Sequence, residues 1–342
     1  MRRRTFLGLA ALGLLVVLLG TYAAYWLIAA GQVKDGFSAW AEAQRARKVD
    51  ISWARIDISG FPLAYRVDLE KAVLHDGRVT PSPELRIPLL AASARPWDFA
   101  NWQLTASDGI AASLAGAGER PPLKAVAKTA AGVLRVGESA GAALWLRLRE
   151  IEAEAGARVP ISSADVWITL PPNPSRSPAD PGLGLAVDLR QIQLPGISPV
   201  LGDEIDQLAF AVTVKGAFPG GKLAEAASAW RDAGGTIELG NLQLKSHGLS
   251  ASATGTIALD GELQPVGGIS GAIEGYDQIL AALVENGHLR ASDAGLARLA
   301  LAMLAKAGPD GKPMIATAFR IQNGQMFLGP AKLGRAPRIA WQ

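Results

Sequence analysis

The chain contains no cysteine. This excludes disulfides, thiolate nucleophiles, cysteine-held metals and lipidation of an N-terminal cysteine, and it leaves the redox compartment open. Histidine is scarce too. His75, His247 and His288 are the three present, each close to a glycine and none at ligand spacing with another histidine or a carboxylate, so neither a metal site nor a cofactor is expected. Charged residues make up only 19% of the chain, and Arg2, Arg3 and Arg4 account for the formal excess of +3. Beyond them, acidic and basic residues balance. Such a body has no electrostatic footprint for nucleic acid.

Apolar residues, glycine and proline are what the chain has in quantity: 49% hydrophobic, 38 Gly and 21 Pro. That mix suits a strand-and-turn protein better than a helical one. Residues 6–30, FLGLAALGLLVVLLGTYAAYWLIAA, carry no charge and exceed the roughly 20 apolar residues needed to cross a bilayer. Three arginines precede the run, and Tyr22, Tyr25 and Trp26 lie near its far end. By the positive-inside rule and the interfacial preference of aromatic rings, the chain is expected to be a single-pass inner-membrane protein. Its N-terminus would be cytoplasmic and its body periplasmic. A cleaved signal peptide fits less well, because the run is too long and no good cleavage site follows; a twin-arginine signal is the other alternative. Val33, Phe37 and Trp40 continue at helical spacing, so the helix is expected to leave the bilayer and reach about Lys48.

Two-residue alternation marks strands at Leu63–Leu69, Val166–Leu170, Leu183–Leu189, Leu208–Val214, Ala251–Leu259 and Thr317–Ile321, with turns at Asp76-Gly77, His247-Gly248, Asp260-Gly261 and Asn323-Gly324 between them. Helices are expected at 222–232, at 276–284, and at 292–304 with Ser292 as its cap. The proline-rich stretch at 171–181 places a soft boundary, giving an anchor part (1–48), an N-terminal β-rich part (49–175) and a C-terminal β-rich part (176–342) with two amphipathic helices.

The alternation slips repeatedly. The pattern apolar-x-apolar-x-x-apolar-x-apolar occurs as ISWARIDI at 51, VDLEKAVL at 67, LRLREIEA at 146, VDLRQIQL at 187 and IELGNLQL at 237. One extra residue is expected to swap the buried face through a bulge or tight bend. The predicted fold is therefore mainly β: strongly curved antiparallel sheet, an N-terminal transmembrane helix, and a few short C-terminal helices covering the concave face. Tyr65, Val67, Phe210, Val212, Leu280, Leu283, Leu299 and Met303 are the candidate residues of an apolar groove there.

Chemical motifs are weak. Residues 137–141 read G-x-S-x-G around Ser139, yet no alternating βα pattern surrounds them. Residues 216–222 approach a P-loop, but Leu223 stands where a Ser or Thr should hold Mg²⁺, and Pro219 removes an amide. Trp97, Trp102, Trp145 and Trp167 are read as packing residues before a ligand-lined groove. No catalytic residue is assigned.

The run AWRDAGGTIELGNLQLKSHGLSASATGTIALDGELQPVGGISGAIEGYDQILAALVENGHL, the later FRIQNGQMFLGPAKLGRAP, and the early SGFPLAYRVDL resemble an alphaproteobacterial inner-membrane and periplasmic family of unknown function (DUF2125) with AsmA-like patterning. The resemblance implies a β-rich periplasmic body of envelope biogenesis that binds or hands over lipid. Alternatives are a scaffold that binds other envelope proteins without a ligand and, more remotely, a serine hydrolase.

Overall fold

The computed structural model describes residues 2–78, 81–116, 121–137, 141–173, 175, 177–196, 201–217, 223–308, 311–329, 331–336, 338–339 and 341, without the side chains of 2–13, 15–16, 223, 331 and 333. Helix α1 (Arg2–Arg45) contains no proline and closes with Arg45 in its last turn, where a cation complements the helix dipole. Arg45 also pairs with Asp50 at 3.0 Å. Among the described residues no helix is long and apolar enough to cross a membrane; the side chains of 6–13 and 15–16, part of the expected span at 6–30, lie outside the description.

The rest is a mainly β protein built as one antiparallel meander. Its first half holds β1 (Val49–Ser52), β2 (Arg55–Ser59), β3 (Tyr65–Asp76), β4 (Pro83–Arg95), β5 (Asp98–Ala106), β6 (Ile110–Leu114), β7 (Leu123–Gly137), β8 (Gly141–Glu154) and β9 (Arg158–Leu170). The second half holds β10 (Pro181–Gln193), β11 (Glu204–Lys215), α2 (Leu223–Asp232), β12 (Thr236–Ser246), β13 (Leu249–Leu259) and β14 (Pro265–Glu274). It continues with α3 (Tyr276–Glu285), α4 (Ala291–Leu304), β15 (Lys306–Ala307), β16 (Pro313–Gln322), β17 (Gln325–Leu328) and β18 (Ala331–Arg335). Each long strand pairs with the next. β1 and β2 lie end to end along β3, and β5 and β6 lie end to end between β4 and β7. The ladder crosses the proline-rich stretch unbroken, since β9 and β10 pair from Thr169↔Gly184 to Ile161↔Ile192.

Every occurrence of the slipped pattern coincides with an interruption of this ladder. Lys71, Glu150 and Gln191 each take up a left-handed backbone (φ 52°, 50° and 51°). Each is the second of the two consecutive non-apolar residues in its pattern. The occurrence at 51 falls on the break between β1 and β2, and the one at 237 on a register shift between Leu239 and Leu242. The interruptions are aligned across neighbouring strands. Lys71 faces Pro88 between the pairs Glu70↔Leu89 and Ala72↔Ile87, where proline has no N–H to offer the ladder. Lys128 faces Glu150 between Thr129↔Arg149 and Ala127↔Ile151. Ser162 lies opposite both Glu150 and Gln191. The result is a crease running from β3 to β11.

The crease corrects one expectation. The slip does not exchange the buried face; it preserves it. Leu148 and Ile151, three apart on β8, share one cluster with Ile161 and Ala164, three apart on β9, together with Ala127, Ile110 and Leu189. The left-handed residue absorbs the odd position, so side chains on both sides of it point the same way. Alanines 106, 127, 130 and 164 are all buried, as small side chains at such a bend should be.

The late helices also depart from expectation. α4 starts at Ala291 with Arg290 as its extended cap, so Ser292 lies inside the helix. Tyr276, Leu280 and Ala294 are buried, but Leu296, Leu299, Met303 and Leu304 are exposed, Met303 by 82%. α4 does not lay these residues on the sheet.

A left-handed backbone costs an L-residue about 1–2 kcal/mol, and glycine almost none of it. Gln191→Gly is therefore expected to stabilise the full chain by about 1 kcal/mol, and Gln191→Val to destabilise it by about 1–2 kcal/mol. Denaturant unfolding measures both; equal stabilities would contradict a left-handed residue at the crease.

Candidate functional site

α2 connects β11 to β12. Its sequence LAEAASAWRD places Ala226, Ala227 and Trp230 on one side, and all three are buried. The Trp230 Nε1 donates to the Lys215 carbonyl at 2.7 Å. The Arg231 guanidinium donates to the carbonyls of Asp260 at 3.1 Å and Gly261 at 3.0 Å, pinning the helix to the β13–β14 turn. Directly beneath the Trp230 ring is Gly235, where a Cβ would lie 2.2 Å from the indole.

Between α2 and the strand ends lies a cleft of 970 Å³, at the upper end of the range of about 300–1,000 Å³ typical of ligand pockets. Leu170, Leu183, Val214, Ile237, Ile257 and Leu259, from five successive strands, form its floor, and Trp230 and Trp341 its sides. The C-terminal segment is tied down: Trp341 Nε1 donates to the Leu263 carbonyl at 2.7 Å, and the Ile339 N–H donates to Gln264 Oε1 at 2.8 Å. Pro171 and Pro172 from the proline-rich stretch close another wall. A lining so poor in ionisable groups can hold an apolar ligand by burial but offers no acid–base pair. Among the described residues no group of three or more His, Asp or Glu is placed to hold a metal.

Two further cavities follow the sheet. One is a trough of 1080 Å³ along the crease with a mixed lining, in which Lys128, Glu150 and Gln191 stand beside Ile110, Val126 and Ile161 among others. Lys128 pairs with Glu150 at 2.8 Å, and this hydrogen bond holds its ammonium above the usual lysine range. The other is a small apolar cavity of 320 Å³ lined by Leu208, Leu242, Leu244, Ile269, Phe319 and Leu328 among others.

The eight groove candidates fall on four separate elements. Tyr65 and Val67 are buried on β3, where Tyr65 stacks on Trp26 with ring centroids 4.9 Å apart; burial raises the pKa of its phenol. Phe210 and Val212 are half-buried on β11. Leu280 is buried and Leu283 half-buried on α3, whereas Leu299 and Met303 on α4 are exposed. None of the eight lines the cleft. Val214, one alternation step beyond Val212, does. The signal for the cleft was AWRDAGG, an indole followed by the glycine pair that lets it lie flat on the chain.

Both weak motifs can be placed only in part. Residues 138–140 of the G-x-S-x-G lie outside the described residues, but Gly137 and Gly141 pair across a β7–β8 hairpin. A strand, not the helix of a nucleophile elbow, follows. Residues 218–222 of the P-loop-like segment also lie outside; the Gly216 N–H donates to the Asp180 carbonyl at 2.9 Å.

Gly235→Ala is expected to cost about 1–3 kcal/mol, because the new methyl overlaps the Trp230 ring and α2 must lift. Gly261→Ala, with nothing within 4 Å of its Cβ position, serves as the neutral control in the same unfolding experiment.

No curated protein and no solved structure matches the chain. A family model does, over residues 26–337, described as an uncharacterized protein conserved in bacteria. Alphaproteobacterial origin and AsmA-like kinship are finer than that description. With the match covering the body from Trp26 through the last strand, the chain belongs to the DUF2125 family.

Proposed function

We propose that this protein is held by residues 6–30 at the periplasmic face of a bacterial inner membrane, and that its apolar cleft binds an acyl chain in lipid handling during envelope biogenesis. Support for the address comes from the uncharged run behind three arginines, a pattern that keeps the short N-terminus cytoplasmic. The observation that carries the binding reading is the cleft itself. It is 970 Å³ of almost wholly apolar space, floored by aliphatic strand ends and flanked by two indoles. Burying hydrocarbon there gains about 25 cal/mol per Å² of apolar surface, without any polar group having to find a partner.

A second reading, a scaffold for other envelope proteins, is favoured by one feature. Leu296, Leu299, Met303 and Leu304 leave α4 with an exposed apolar face, which a partner helix would cover. Introducing charge as Leu299→Asp and Met303→Asp would then abolish co-purification of a partner without altering lipid capture.

The absence of cysteine makes the address directly testable. A Ser113→Cys chain, with an exposed site on β6, is expected to react with membrane-impermeant maleimide in intact spheroplasts; protection until lysis would place the body in the cytosol. For the binding reading, the full chain is reconstituted in nanodiscs with phospholipid carrying a diazirine at the acyl terminus. Adducts are expected on peptides containing Leu183, Trp230 and Ile257, and to be largely lost in Val214→Trp, which fills the cleft. Adducts confined to α1 would remove the lipid reading and leave the anchor.

A further inference from the structure

The junction between α1 and the sheet is an aromatic clamp at a defined height on the helix. Tyr22 donates its hydroxyl to the Pro62 carbonyl, and Trp26 donates Nε1 to the Ala64 carbonyl at 3.1 Å. The Tyr65 hydroxyl returns a bond to the Trp26 carbonyl at 3.4 Å. Trp26 stacks on Tyr65 with an interplanar angle of 5° and meets Phe61 edge-on at 5.6 Å. Tyr65 in turn contacts Phe99 at 5.1 Å. The β2–β3 connection and the start of β5 are therefore fixed level with residues 22–26 of the helix. That is the last part of the uncharged run, since at 1.5 Å per residue Tyr22 lies only about 12 Å before Ala30 along the axis.

At that level the sheet presents large apolar side chains outward: Phe61 is 53% exposed, Leu63 69% and Trp97 67%. They continue the exposed apolar surface of α1 itself, where Leu18, Leu19, Tyr25, Leu27 and Ile28 are each more than half exposed. Beside Trp97, Arg95 is exposed and makes no ion pair among the described residues; the nearby Asp98 carboxylate is occupied by Asn101 at 2.9 Å. Aromatic rings beside an unpaired cation match the layered chemistry of a bilayer interface, with acyl boundary below and phosphate above.

We infer that Phe61, Leu63 and Trp97 form a foot that inserts into the outer-leaflet interface of the membrane holding α1, so that the end of the sheet rests in the lipid instead of standing clear of it. The inference rests on the anchor reading above. It follows from depth: a patch bonded to residues 22–26 cannot reach water while residues 6–30 span the hydrocarbon.

The test uses the cysteine-free full chain in liposomes of phosphatidylethanolamine and phosphatidylglycerol, with an environment-sensitive NBD label at one introduced cysteine at a time: Leu63→Cys, Trp97→Cys, Ile28→Cys in the anchor, and Ser113→Cys on β6. Labels at 63 and 97 are expected to give blue-shifted emission, quenched by lipid-borne nitroxide and protected from aqueous iodide, as at 28, while the label at 113 is quenched by iodide. Iodide quenching at 63 and 97 with lipid quenching at 28 would overturn the foot and leave the anchor standing. Iodide quenching at 28 as well would remove the anchor and the foot together. Protection at 63 and 97 from both quenchers would assign the patch to a second copy of the chain, and would also overturn the foot. All three foot side chains are exposed, so unfolding of the labelled chains should match the parent and exclude misfolding as the cause.

Discussion

An antiparallel ladder can change the direction of its side chains only if neighbouring strands make the change at the same rung. In this protein that requirement shapes the first eleven strands. Left-handed residues on β3, β8 and β10 stand against interrupted positions on their neighbours, and hydrogen-bond pairing resumes beyond them in the same register. Were one strand to slip alone, every rung after it would pair apolar with polar side chains. Aligned slips instead give a crease, with small side chains at its bend and a trough along it. Tolerance of non-glycine residues at these strained rungs is the cost of keeping one apolar face continuous over such long strands.

Two helices are fastened to this sheet by the same device, an indole that both stacks and donates. Trp26 fixes α1 to the beginning of the meander through the Ala64 carbonyl, and Trp230 fixes α2 to the end of β11 through the Lys215 carbonyl. Each tryptophan buries a large apolar area while satisfying its N–H, which a phenylalanine would not need and a tyrosine would meet elsewhere. The first clamp sets where the sheet stands relative to the helix axis; the second holds open the apolar cleft, which lies toward the same end of the strands further along the meander. α3 and α4 lack any such fastening, and α4 turns its apolar residues outward.

Much of the architecture was legible in advance because strand periodicity is local. Leu183–Leu189 and Leu208–Val214 read as alternating strands and pair with each other in the structure, as Leu185↔Val212 and Val187↔Phe210. The slips at 67, 146 and 187 read as interruptions and proved to be so. Their geometric meaning did not, since whether an odd residue flips the face or is absorbed depends on its φ, and Lys71, Glu150 and Gln191 are not residues that announce a left-handed backbone. The groove candidates failed to converge for a related reason. Tyr65 and Met303 are equally apolar in a string of letters, but one is stacked under a tryptophan and the other projects from a helix, and only packing distinguishes them.

By itself the sequence determined the uncharged N-terminal run, the antiparallel class and the positions where the ladder must break, because each follows from the order of polar and apolar residues over a few positions. Tertiary structure alone decided the rest. The alignment of those breaks into one crease, the meeting of Leu170, Leu183, Ile257 and Trp341 around a cleft, and the height at which Phe61 and Trp97 stand beside α1 all bring together residues far apart in the chain. Their proximity is set by strand pairing and side-chain packing, which no local pattern encodes.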